Sequence, residues 1–175
     1  MIRNAEIFAT AAHAAIGQKR KYTGEPYIVH PRTVAGIVQS CRGHTWEQVV
    51  CAWLHDTVED TKLEVRDIVS IFGYDIAFGV WNLTNVEKEA GNRAQRHEMN
   101  VTRLRNAPNW VKTVKVADIY DNTRRIVELD PTFAPQYLKE KEHAMLALRG
   151  ADDVLWQMTF EQILRLQQQS LMEAS

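Results

Sequence analysis

No stretch of this chain is apolar for long. The longest unbroken run, Val49 to Leu54, is six residues, far short of the roughly 20 that a helix needs to cross a bilayer. The N-terminus has no signal-peptide core, because Glu6 and His13 interrupt the Ala-rich start. Cysteine is scarce. Cys41 and Cys51 both fall in apolar helical patterns, which favours two buried thiols in a cytoplasmic protein over a disulfide. Glycine and proline are few, with 8 and 5 in 175 residues, which excludes collagenous and linker-like chains. Neither charge sign dominates: 21 Lys+Arg against 22 Asp+Glu leave a formal net of −1. No global field therefore advertises nucleic acid or an anionic membrane.

What is present is helical periodicity, and no stretch alternates with period two for long enough to make a strand. The expectation is one all-α domain over residues 1–175. A first helix is expected over 3–17, with Ala5, Phe8, Ala12 and Ile16 on its stripe. Pro31 is expected to open a second helix, with Val34, Ile37, Val38 and Cys41 on one face. Thr45-x-x-Gln48 reads as a capping box for a third helix running to about Asp60, and Thr61-x-x-Glu64 as a second box. Helices are further expected over 93–106, from Pro108 to about Leu129, over 134–149 and over 153–170. Trp53, Trp81, Trp110 and Trp156 sit at apolar helical positions and are expected in the core, with Trp46 half exposed.

The sharpest local feature is His55-Asp56-x-x-Glu59-Asp60. On one helix these residues would share a flank, gathering three carboxylates beside an imidazole. Uncompensated, such like charges repel, whereas a divalent cation makes ligands of them. A solvated acidic helix end with a buried histidine is the plain alternative. His30 precedes Pro31, where the backbone is held extended. Downstream, Lys115-Val-Ala-Asp118-x-x-x-Asn122 puts a carboxylate into an apolar helix, where a lone charge needs a partner. His13, His44, His97 and His143 lack partners at ligand spacing and read as surface or packing residues.

The order His … His-Asp … Asp resembles the HD metal-dependent phosphohydrolase superfamily. More specifically, the chain is similar to the hydrolase domain of the Rel/Spo alarmone enzymes and to the small alarmone hydrolases. The likeness is carried by Gln18-Lys-Arg-Lys21, Gly24-Glu-Pro-Tyr-Ile-Val-His-Pro31, Leu54-His-Asp-Thr-Val-Glu-Asp-Thr61, Phe72-Gly73 and Val114-Lys-Val-Ala-Asp-Ile-Tyr-Asp-Asn122, spanning about residues 8–127. It implies an HD-domain helical bundle with His30, His55, Asp56 and Asp118 as ligands of one metal ion, usually manganese. It also implies Glu59 and Asp60 as the acidic pair that works on water. Arg20 and Lys21 match the basic pair lining the nucleotide pocket, and Asn122 an asparagine near the ribose and phosphates. Lys115 divides between phosphate attraction and structural pairing.

The implied activity is removal of the 3′-diphosphate from guanosine polyphosphates, giving GDP or GTP and pyrophosphate. A small-molecule nucleotide is thus the expected partner, not nucleic acid or a membrane. The chain departs from the pattern at Tyr22, which lengthens the loop before His30, at Ile119 and Asp121, where arginine and histidine are frequent, and at Asn85, where lysine is common. These departures keep open the same chemistry on an adenosine polyphosphate or the 2′-phosphate of NADPH. A non-enzymatic nucleotide- or partner-binding module is the remaining alternative.

Overall fold

A computed structural model describes residues 1–173. Among them no strand forms, and an isolated antiparallel bridge joins Lys19 to Pro26. The chain divides into two compact units, Met1–Val86 and Glu87–Ser175.

The first unit contains α1 (Ile2–Ala15), α2 (Val29–Ser40), α3 (Trp46–Leu54), α4 (Thr57–Asp60), α5 (Val65–Phe72) and α6 (Tyr74–Leu83). Helix α3 is its centre, packed by α1, α2 and α6 and buried from Gln48 to Leu54. A helix that is apolar all round can be stable only when it is enclosed. Its start is the expected capping box: the Thr45 N–H donates to Gln48 Oε1 at 2.8 Å and the Gln48 N–H to Thr45 Oγ1 at 3.5 Å.

The expected continuation of α3 to Asp60 does not occur, because the helix breaks at His55–Asp56. Two side chains take the carbonyls that would have propagated it. His55 Nδ1 lies 2.8 Å from the Ala52 carbonyl, and Thr57 Oγ1 donates to Leu54 O at 2.7 Å. Side chains that bond nearby backbone in this way compete with the helix ladder. The box expected at Thr61 is replaced by one at Glu64 and Asp67, which opens α5. Helix α2 starts at Val29, so His30 lies in its first turn and is not extended. Pro31 is tolerated there because first-turn N–H groups have no helical acceptor. On α1 the buried stripe is Ala5, Ala9 and His13, whereas Ile16 is exposed.

The second unit contains a 3-10 turn (Lys88–Ala90), α7 (Arg93–Asn106), α8 (Asn109–Thr123), α9 (Ile126–Leu129), α10 (Ala134–Ala147) and α11 (Asp153–Glu173). Helix α8 is buried along most of its length and packs on α11 and α10. It ends at Thr123 instead of running to Leu129. Gln162 on α11 clamps that end, donating from Nε2 to Tyr120 O at 3.0 Å and to Thr123 Oγ1 at 2.9 Å. Helix α7 buries only Val101 and Leu104. Of the tryptophans, Trp53 is buried, Trp110 and Trp156 are half-buried, and Trp81 and Trp46 are exposed. Trp81 departs from expectation because it stacks on Phe78 at the surface of α6, with ring centroids 6.2 Å apart.

Candidate metal centre

The break after α3 turns His55 and Asp56 toward the first turn of α2. His55 Nε2 lies 3.2 Å from His30 Nε2 and 3.0 Å from Asp56 Oδ2, and His30 Nε2 lies 3.6 Å from the same oxygen. Two imidazole nitrogens and one carboxylate oxygen thus form a triangle with edges of 3.0–3.6 Å. Ligands about 2.0–2.2 Å from a shared ion at ordinary coordination angles stand at such separations. The donor set fits a divalent ion: imidazole and carboxylate are its usual ligands.

Tautomer and orientation are set from outside the triangle. The short contact to the Ala52 carbonyl requires the His55 proton on Nδ1, which leaves Nε2 with a bare lone pair. Asp56 is held by the Tyr27 hydroxyl, which donates to Oδ2 at 2.5 Å. Both histidines are buried, with exposures of 1% for His30 and 0% for His55, so their rings cannot wander.

Glu59 and Asp60 lie on the short α4 and have different surroundings. Glu59 is exposed, and Asn85 holds both its oxygens, the backbone N–H donating to Oε2 at 2.8 Å and Nδ2 to Oε1 at 2.9 Å. Asp60 is half-buried and accepts from Gln18 Nε2 at 2.8 Å through Oδ2. Gln18 Oε1 in turn meets His13 Nδ1 at 2.7 Å, which makes Nδ1 the donor on His13. Burial raises the Asp60 carboxyl above its ordinary value, and the neighbouring Asp56 charge raises it further. Burial lowers the His13 imidazole, whose Nε2 is enclosed without a hydrogen-bond partner.

The basic pair separates. The Arg20 guanidinium lies over the ring of Tyr27, 6.0 Å from its centroid. Lys21 turns onto the exposed Tyr22, with Nζ 2.9 Å from its hydroxyl and 4.5 Å from the ring centroid. The extra residue of the loop therefore takes Lys21 as its own neighbour.

In the second unit, Asp118 on α8 is 5% exposed, with both oxygens engaged. Lys115 Nζ lies 2.8 Å from Oδ2, and Asn122 Nδ2 donates to Oδ1 at 2.6 Å. The buried Lys115 (7% exposed) thus forms an ion pair with Asp118. Asp121 pairs with Arg124 at 2.9 Å. Reasoning from sequence did not single out Tyr27, Gln18 or His13 as supports of the centre. Tyr27 and Gln18 lie inside the matching stretches, so the motif carried a signal for both.

The pattern of the HD domain family matches residues 5–143. Among curated proteins, a zebrafish (Danio rerio) guanosine-3′,5′-bis(diphosphate) 3′-pyrophosphohydrolase is 30% identical over 135 residues, covering 74% of this chain and 74% of that protein. A Synechocystis protein named as a probable enzyme of the same activity is 34% identical over 135 residues, covering 75% of this chain. This chain spans 17% of the Synechocystis protein's length and 18% of that of an Aquifex aeolicus relative, which is 32% identical over 71% of this chain. Among solved structures, that of a metazoan ortholog of SpoT that hydrolyses ppGpp superposes with a TM-score of 0.81 at 26% identity, covering 94% of this chain and 93% of that one. By pattern, sequence and fold, the chain belongs to the HD domain family, and it is similar to proteins named guanosine-3′,5′-bis(diphosphate) 3′-pyrophosphohydrolases.

Proposed function

We propose that this chain is a manganese-dependent hydrolase that removes the 3′-diphosphate from guanosine polyphosphates, releasing GDP or GTP and pyrophosphate, and that residues 1–175 act as one HD-type hydrolase domain. The observation that carries the reading is the triangle of His30 Nε2, His55 Nε2 and Asp56 Oδ2, with edges of 3.0–3.6 Å. Asp118 is the fourth ligand in this proposal: a buried carboxylate at the motif position, already relieved of its isolation by Lys115 and Asn122. A divalent ion held by these four supplies Lewis acidity toward water and the phosphoryl oxygens.

The chain's own side chains divide the remaining work. Asp60 accepts the proton from the attacking water through Oδ1, since Oδ2 is taken by Gln18. Glu59, with both oxygens held by Asn85, fixes the position of α4 and orients water. Tyr27 keeps Asp56 aimed at the two histidines. Arg20 attracts the anionic nucleotide by charge and offers a planar face for the base, and Asn122 contacts the ribose–phosphate region. Lys21 contributes charge at the rim only, because it is turned onto Tyr22. Cys41 and Cys51 are thiols outside any disulfide, which suits the cytoplasm.

The test is release of pyrophosphate from ppGpp, pppGpp and the adenosine counterparts, and of orthophosphate from NADPH, with manganese added and with excess chelator. Manganese-dependent turnover that is highest on the guanosine 3′-diphosphates supports the reading. Higher turnover on an adenosine substrate assigns the same chemistry to another nucleotide, and binding without turnover assigns a non-enzymatic module.

A further inference from the structure

Helices α7 and α10 pack together within the second unit and bring two more imidazoles into contact. His97 Nε2 lies 3.1 Å from His143 Nδ1, and Glu98 Oε1 lies 3.5 Å from the same nitrogen. Ligand atoms of all three residues fall within 4.8 Å of one another. Donors about 2.0–2.1 Å from a tetrahedral ion stand roughly 3.3 Å apart, close to both short edges. The rings are tilted at 55° with centroids 5.2 Å apart, so they meet nitrogen to nitrogen and not face to face.

The surrounding charges leave this cluster its own carboxylate. Glu140 is held by Arg93 through two bonds of 2.7 Å, whereas Glu98 stays beside the histidines. The His143 side chain is 41% exposed and that of Glu98 65%, so water can complete the coordination. The helix is also poorly anchored by apolar contacts, since only Val101 and Leu104 of α7 are buried.

We propose that His97, His143 and Glu98 form a second divalent-ion site, of the zinc class, that clips α7 to α10. It is separate from the His30–His55–Asp56 centre and independent of the activity proposed for that centre. Two nitrogens and one carboxylate oxygen with open positions suit zinc, which imidazole binds well.

The test is zinc bound per chain at equilibrium, measured by elemental analysis after dialysis. The intact protein is expected to hold one zinc ion more than His97→Gln/His143→Gln, whose manganese-dependent turnover stays within about twofold of the unaltered chain. Glu98→Gln, on an exposed side chain that folding does not need, is expected to weaken the second site by roughly tenfold. Far-UV circular dichroism checks that the double variant is folded. The proposal is overturned if the folded double variant takes up as many zinc ions as the intact protein.

Discussion

The molecule holds two histidine pairs with nearly the same nitrogen separation, 3.2 Å for His30–His55 and 3.1 Å for His97–His143. They differ in everything around that spacing. The first pair is fully buried, with one tautomer set by the Ala52 carbonyl and the adjoining carboxylate held by Tyr27. The second is half exposed on two surface helices, beside an exposed Glu98. Spacing makes a pair of imidazoles able to hold an ion. Burial and a supporting layer of hydrogen bonds make the geometry rigid enough for chemistry, because a reacting group must be held within a fraction of an ångström.

The contrast breaks most completely at His55. His55→Ala should lose the ion of the first centre and lower turnover by well over about 100-fold. It should also lower the thermal midpoint in the presence of manganese, since an ion that binds only the native chain stabilises it. His97→Ala, with the same chemical change, should leave turnover near its starting value. Pyrophosphate release and a thermal melt on both variants check this.

The next largest effect separates the two acids of α4. Asp60→Asn should lower turnover by about 10²-fold or more with manganese retained, as expected for losing a general base. Glu59→Gln should lose less, because the amide oxygen still accepts one of the two hydrogen bonds from Asn85. The pH dependence gives the sign. With its value raised by burial, Asp60 loses its charge on acidification earlier than an ordinary aspartate, so the acid limb of kcat/KM should lie higher than an ordinary aspartate would set it and vanish in Asp60→Asn. A raised carboxylate means that the native state takes up its proton first. The burial cost is then absent below the unfolded value and present above the folded one. Asp60→Asn should accordingly be at least as stable as the unaltered chain at neutral pH, while remaining slow.

A smaller effect tests the supporting layer itself. Tyr27→Phe removes the hydroxyl that holds Asp56 and should weaken manganese binding by about 10–100-fold, the usual cost of losing a residue that orients a ligand. A manganese titration of turnover reads it, with the loss recovered at high metal concentration.

The smallest effect belongs to the surface around the second pair. Arg93 holds Glu140 below its ordinary value, so this pair adds stability above the unfolded carboxylate range and loses it as pH falls through the folded value. The Arg93 side chain is 47% exposed, so Glu140→Gln should cost under about 1 kcal/mol at neutral pH and nothing in strong acid. Urea melts at two pH values check it.

The two regions were also unequally legible in the sequence. Helical periodicity announced the long helices, and the Thr45–Gln48 box announced the start of α3. The break after Leu54 was hidden, because it is made by His55 and Thr57 bonding their own backbone, which no hydrophobic period encodes. His30, His55 and Asp56 could be read as one centre because they stand in a motif of ordered spacing. His97 and His143 are 46 positions apart on two helices, and only the packing of α7 on α10 brings them together. Lys21, which the motif pairs with Arg20, also meets the hydroxyl of the neighbouring Tyr22, a contact that the motif does not carry.

The most direct test of the central claim is pyrophosphate release from ppGpp by metal-stripped protein as manganese is added back. Turnover should be absent in excess chelator and return as the first equivalent of manganese binds, and it should not return in His30→Ala at the same manganese concentration. Full turnover in excess chelator, or full turnover by His30→Ala, would contradict the assignment of His30, His55 and Asp56 as the centre of the reaction.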